Sequence, residues 1–203
     1  NFSKKYKTVF VDANSEDESR LIAKSMGLEV MDLNLSRGEA ISHCVNNFKN
    51  KYNYIIFLSS DGEEDVKDIF KFEKYFDDGA DMVIASRLMP GGYFKSDKSI
   101  LWIHRKLFLI FITFIINLIF KGNIYDCWNG FRGFKLKCFE KIKIEEKNHL
   151  VEAETTIKFL KKKFKIFEFP TKENPRIYGK SVNPPIKSGI GHIILIIKEF
   201  FKK

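Results

Sequence analysis

Short β-rich runs alternate with segments of helical spacing through the first half of the chain. Thr8 to Asp12 predicts a strand, and Ser15 to Glu18 has the Ser-x-x-Glu form that caps a helix start. Leu21, Ile22 and Met26 continue at helical spacing until Gly27, where the helix is expected to stop. Leu28 to Leu33 predicts a second strand, and Gly38 opens a helix to about Lys51. Tyr54 to Leu58 and Asp81 to Ser86 are continuous apolar runs of the kind buried on both sheet faces, with a helix from Val66 to Phe76 between them. This alternation predicts an α/β fold, a mostly parallel sheet with helices on both faces.

The second half is less regular. Met89 to Gly92 reads as a loop, followed by a long apolar helix from about Lys98 to Phe120. A strand over Phe131 to Leu136, a helix over Val151 to Lys163 and a strand over Lys165 to Phe169, stopped by Pro170, complete the pattern. Lys172 to Pro185 carries three of the five prolines and predicts an ordered surface loop. The expected organisation is one α/β domain over residues 1–185 and an amphipathic basic helix over 186–203. On that helix Ile190, Ile193, Ile194, Ile197, Phe200 and Phe201 share an apolar side.

Composition narrows the partners. The charge is 35 minus 26, or +9, mostly from lysine, which suits nucleic acid, anionic lipid or a phosphorylated substrate. No basic strand is interleaved with aromatics and no nucleic-acid motif is present, so nucleic acid is not expected. Cys44, Cys127 and Cys138 are scattered, which excludes a disulfide framework and suits a reducing compartment. No cysteine–histidine cluster has zinc-finger spacing and the four histidines are dispersed, so no zinc site is expected. The most apolar stretch, Leu107 to Phe120, is 14 residues long, shorter than the ~20 that cross a bilayer, which predicts a buried or interfacial helix. The chain begins at Asn1 with no signal-peptide pattern, and residues upstream of it are expected.

Ligands of open α/β sheets bind beyond the carboxyl ends of the strands. Three predicted strands end in polar punctuation: Asp12, the run Ser59 to Asp65, and Ser86-Arg87. Carboxylates there can hold Mg²⁺ or Mn²⁺ against a diphosphate, or merely cap the following helix. Arg87, Arg132 and Arg176 fall in polar or glycine-rich turns, where a planar guanidinium can grip phosphate.

The order strand-Asp12, Gly38-Glu39-Ala40-Ile41, Ser59-Ser60-Asp61-Gly62, Gly79 to Arg87, Gly91-Gly92, Asp126 to Arg132, Glu154, and Arg176 to Ser181 resembles the family 2 glycosyltransferases of the dolichol-phosphate mannose synthase type. The resemblance runs from about Thr8 to Ser181. It implies a nucleotide-diphosphosugar transferase fold, GT-A-like, and inverting transfer of a sugar from a nucleotide-diphosphate donor to a polyprenyl phosphate. It further implies Mg²⁺ or Mn²⁺ held by Asp61 with Glu63, and nucleotide contacts from Asp12, Gly38 and Asp61. Phosphate contacts would come from Arg87, Arg132, Arg176 and Lys180, and catalytic roles from Asp61, Asp126 and Arg132. The implied location is peripheral, on the cytoplasmic membrane face, with the apolar helix after Gly92 resting on lipid. A polyprenyl phosphate oxygen is already ionised at neutral pH, so catalysis reduces to positioning and to stabilising the leaving diphosphate.

Three departures from the family pattern stand out. Ser59 replaces the first Asp of Asp-x-Asp, Ala13 follows Asp12 where a second Asp is usual, and the family's first strand is absent. They keep open a second class: a glycosyltransferase-like binding or scaffold protein without catalysis.

Overall fold

The computed structural model describes residues 6–13, 15–93, 101–174 and 185–202. Strands β1 (Val9–Asp12) and β2 (Glu29–Asp32) pair in parallel around helix α1 (Ser19–Ser25). The expected capping box at Ser15–Glu18 does not form. Ser15 instead donates both its N–H and its hydroxyl to the Asp12 carboxylate, at 3.0 and 2.5 Å. A full box occurs one helix later: in α2 (Arg37–Phe48), Ser36 and Glu39 satisfy each other's orphan donors. Gly27 stops α1 at φ +76°, where a Cβ would be strained.

The larger sheet has the order β3 (Tyr54–Phe57), β5 (Arg132–Lys135), β4 (Met82–Ser86), β6 (Ile166–Pro170). β4 and β6 are parallel, whereas β5 runs antiparallel to both its neighbours, so β3, β4 and β6 share one direction. The mostly parallel α/β sheet is therefore as expected, with one reversed strand in its interior. β4 is buried throughout, and its side chains alternate between two cores. Met82 and Ile84 face α2, α5 (Leu136–Phe139) and α6 (Val151–Lys161), while Val83 and Ala85 face Phe72 and Phe76 of α3 (Ile69–Asp77). β3 departs from its predicted double burial: it is an edge strand, half-buried at every position.

Helix α4 (Leu101–Phe120) buries Leu109, Ile112 and Ile116 in a third core, shared with Ile157 of α6 and with Leu195 and Ile196 of α7 (Pro185–Phe201). The C-terminal helix is thus packed against α4 and α6. Residues 103–120 exceed the 14 counted from sequence and are long and apolar enough, by length and composition, to cross a bilayer. Ile103, Leu107, Ile110, Phe111, Phe114 and Leu118 are exposed, as are Ile190, Ile193, Ile194, Ile197, Phe200 and Phe201 of α7.

Candidate functional site

Because β3, β4 and β6 share a direction, their carboxyl ends meet on one sheet edge, where a cleft is lined by Glu63, Glu64, Arg87, Asn129, Thr171, Lys172 and Glu173. The loop after β3 folds on itself around Gly62, at φ +78°. The Glu63 N–H donates to Asp61 Oδ1 at 3.1 Å, and the Ser59 N–H to Glu64 Oε2 at 3.2 Å. The Asn174 N–H donates to the Glu63 carbonyl at 2.7 Å and ties this loop to the segment after β6.

Arg87, at the end of β4, braces the opposite wall. Its Nε and Nη2 fork onto Asp126 at 2.8 and 3.1 Å, and Nη1 reaches Glu173 at 3.0 Å. Asp126 is fully buried and also accepts the backbone N–H groups of Arg87, Trp128 and Asn129. Burial would raise its carboxyl, but the Arg87 charge and hydrogen bonds win and hold it below the usual carboxylate range. Burial leaves Glu173 raised despite Arg87. Glu64 is pushed to about 7, first by burial and then by the charge of Asp61. The described part of the cleft thus sets Glu63, Glu64 and Glu173 beside Arg87 and Lys172.

The expected site residues separate into three groups. Asp61, Glu63 and Arg87 stand in or beside the cleft. Arg176 and Lys180 lie outside the described residues. The remaining four have other work. Arg132 does not present its guanidinium to a ligand: it is 2% exposed and donates to the carbonyls of Asn129, Glu152 and Cys127 and to the hydroxyls of Thr155 and Thr156. Asp126 is the hub of a closed network rather than an exposed carboxylate facing a sugar. Gly38 serves a close approach, since a Cβ there would fall 1.9 Å from the Glu146 carbonyl oxygen. Asp12 is buried and occupied by Ser15, with Arg20 at 3.5 Å.

Sequence reasoning missed Glu64 and Glu173 as wall residues, and it missed Arg37. Arg37 opens α2, crosses Gly130, and bonds Glu152 at 2.5 Å. The doubled acid Glu63-Glu64 was a usable signal, whereas Glu173 lies 86 positions from the arginine that binds it.

A family model described as glycosyl transferase family 2 matches residues 2–143. The polyprenol monophosphomannose synthase of Mycolicibacterium smegmatis (strain ATCC 700084 / mc(2)155) is 25% identical over 138 residues, covering 64% of this chain and 49% of the relative. The chain thus spans about half the length of that relative. Among solved structures, glucosyl-3-phosphoglycerate synthase from Mycobacterium tuberculosis with Mn²⁺, uridine-diphosphate and glucosyl-3-phosphoglycerate is similar at TM-score 0.66 and 14% identity, over 94% of this chain and 67% of that one. Its uridine-diphosphate complex gives 0.64 and 11%, over 95% and 68%. At these identities the structures establish the fold: the sheet and helices are those of a GT-A glycosyltransferase.

Proposed function

Given that the chain belongs to glycosyl transferase family 2, we propose that it transfers a sugar from a nucleotide-diphosphate donor to a polyprenyl phosphate, with inversion and divalent-metal assistance. The observation that carries this is the carboxylate-rich cleft at the ends of β3, β4 and β6. A divalent cation would offset the charge between a diphosphate and these carboxylates, and Asp61, Glu63 and Glu64 are hard oxygen donors of the kind Mg²⁺ and Mn²⁺ prefer. These side chains supply the donor type that ion takes, without closing to within 4.8 Å as a three-carboxylate group, which among the described residues only Glu145, Glu154 and Glu199 do. When bound, the ion would neutralise the leaving diphosphate. Arg87 keeps the far wall in shape through Asp126 and Glu173. The synthase from M. smegmatis motivates the polyprenyl acceptor. In the complex of the M. tuberculosis enzyme, Mn²⁺ and uridine-diphosphate occur together, which supports the metal.

The acceptor's lipid chain requires an apolar surface, and the exposed faces of α4 and α7 provide one. We place this face on the cytoplasmic leaflet as a peripheral contact.

The test is turnover of GDP-mannose and UDP-glucose with a polyprenyl phosphate in Mg²⁺ or Mn²⁺. Asp61→Ala should abolish it, and full activity in that variant removes the metal assignment. Absence of calorimetric heat with either nucleotide sugar at millimolar concentration leaves the non-catalytic binding or scaffold reading. Ile193→Glu with Ile197→Glu should abolish co-sedimentation with anionic vesicles at an unchanged melting temperature. Sedimentation that survives both substitutions removes α7 from the membrane contact.

A further inference from the structure

Helix α7 turns two unlike faces outward and inward. Its outer side is exposed isoleucine and phenylalanine, while its inner side carries His192, which is fully buried. The imidazole stands edge-on to the Trp128 indole, with ring centroids 4.2 Å apart at 61°, and Phe108 of α4 closes the other side at 6.4 Å. Gly189, one turn earlier, lets α7 come this close, since a Cβ there would meet the Phe108 ring at 3.2 Å.

Trp128 belongs to the turn that builds the cleft wall. Its indole N–H donates to the His149 carbonyl at 3.2 Å, and its backbone N–H donates to Asp126 Oδ1 at 3.1 Å. Asp126 holds Arg87, and Arg87 with Glu173 lines the cleft. One chain of packed and hydrogen-bonded groups therefore leads from the inner face of α7 to the site.

We propose that His192 is a positioning residue: its ring fixes the Trp128 indole, and through it the Asp126–Arg87 pair, so that the seating of α7 sets the shape of the cleft. The consequence for binding rests on the reading of that cleft as the nucleotide-sugar site. A histidine that merely filled space would loosen α7 and the cores alike. A positioning histidine loosens one turn selectively, because the β4–β6 ladder is secured by its own hydrogen bonds.

The experiment uses the full chain with His192→Ala and His192→Phe, the second keeping an aromatic ring beside Trp128. Hydrogen exchange is followed at the Arg87, Trp128 and Asn129 amides, all donated to Asp126, with β4–β6 amides as internal reference. The Ala variant should exchange the three amides roughly ten-fold faster with the reference unmoved, and bind Mn²⁺ with GDP-mannose or UDP-glucose correspondingly more weakly. The Phe variant should restore both. Unchanged protection in the Ala variant overturns the proposal. So does equal loss at the reference amides, or parent-like donor affinity alongside faster exchange. If the parent chain binds neither nucleotide sugar, the donor reading fails, and the exchange result alone decides whether His192 positions the turn.

Discussion

Two acidic clusters use the same side chain to opposite ends. In one, the carboxylates of Glu145, Glu154 and Glu199 lie within 4.8 Å of one another. Lys158 bonds Glu154 at 2.5 Å and stands 3.6 Å from Glu199, Lys161 reaches Glu199 at 3.0 Å, and Lys198 and Lys202 hold Glu145. Those two lysines draw Glu145 down to about 2. In the other, Asp61, Glu63, Glu64 and Glu173 gather at the cleft, and Arg87 is shared between Glu173 and Asp126. The first cluster closes α7 onto α6, whereas the second leaves Glu64 near 7. Carboxylates supplied with lysines from the same fold are structural. At the cleft, burial and the charge of Asp61 hold the proton on Glu64 up to about 7, and a bound cation would favour its release.

The sharpest way to break this comparison is to remove a cation from the closed cluster. Lys158→Met leaves Glu154 and Glu199, both nearly inaccessible, without their central partner, and should lower stability by about 3–5 kcal/mol in a denaturant titration. Arg87→Met strips Asp126 and Glu173 together and should cost about 3 kcal/mol along with nucleotide-sugar binding. A loss below ~1 kcal/mol in either would mean that water already compensates these charges.

Glu64 sharpens the contrast through pH. Its folded carboxyl keeps a proton up to about 7, while the unfolded one releases it near its ordinary value of 4.5. Its contribution to stability is therefore present at low pH and lost as pH rises through about 7. Melting in the absence of divalent ions should fall from about pH 5 to about pH 8 in the parent and stay nearly flat in Glu64→Gln, a gap of about 2 kcal/mol at the upper end. Parallel curves for the two proteins would refute that assignment. Lys202→Ala, on an exposed partner of Glu145, should change stability by less than ~1 kcal/mol, and added salt should erase even that.

Much of the fold was legible in the sequence because apolar runs and helical spacing report burial directly. β4 is the clearest instance, with every residue of its apolar run inside. The direction of β5 was not legible. Phe131 to Leu136 predicts a strand, but its place between β3 and β4 depends on pairings 48 to 81 positions distant. The tail was legible on one side only. Its isoleucine stripe is the outer face, while His192 and Glu199 point inward, because the lysines that satisfy Glu199 are on α6. Beside the cleft, Asp61, Glu63 and Arg87 lie at strand ends that the polar punctuation marked. Arg132 followed the same logic and is a core brace, because its acceptors are mainly carbonyls, which residue identity does not reveal.

The reversed β5 also sets the order in which the chain can assemble. β3 and β4 are made first but share no ladder, and the strand that joins them follows β4 only after the whole of α4. During synthesis, two unpaired strand edges and an apolar 20-residue helix coexist before residue 132 is available to close the sheet. Such non-local pairing folds slowly and exposes edges that invite association with other chains. A lipid surface that captured α4 early would shorten that exposure, so the face proposed here for the acceptor's membrane would also act as a folding aid.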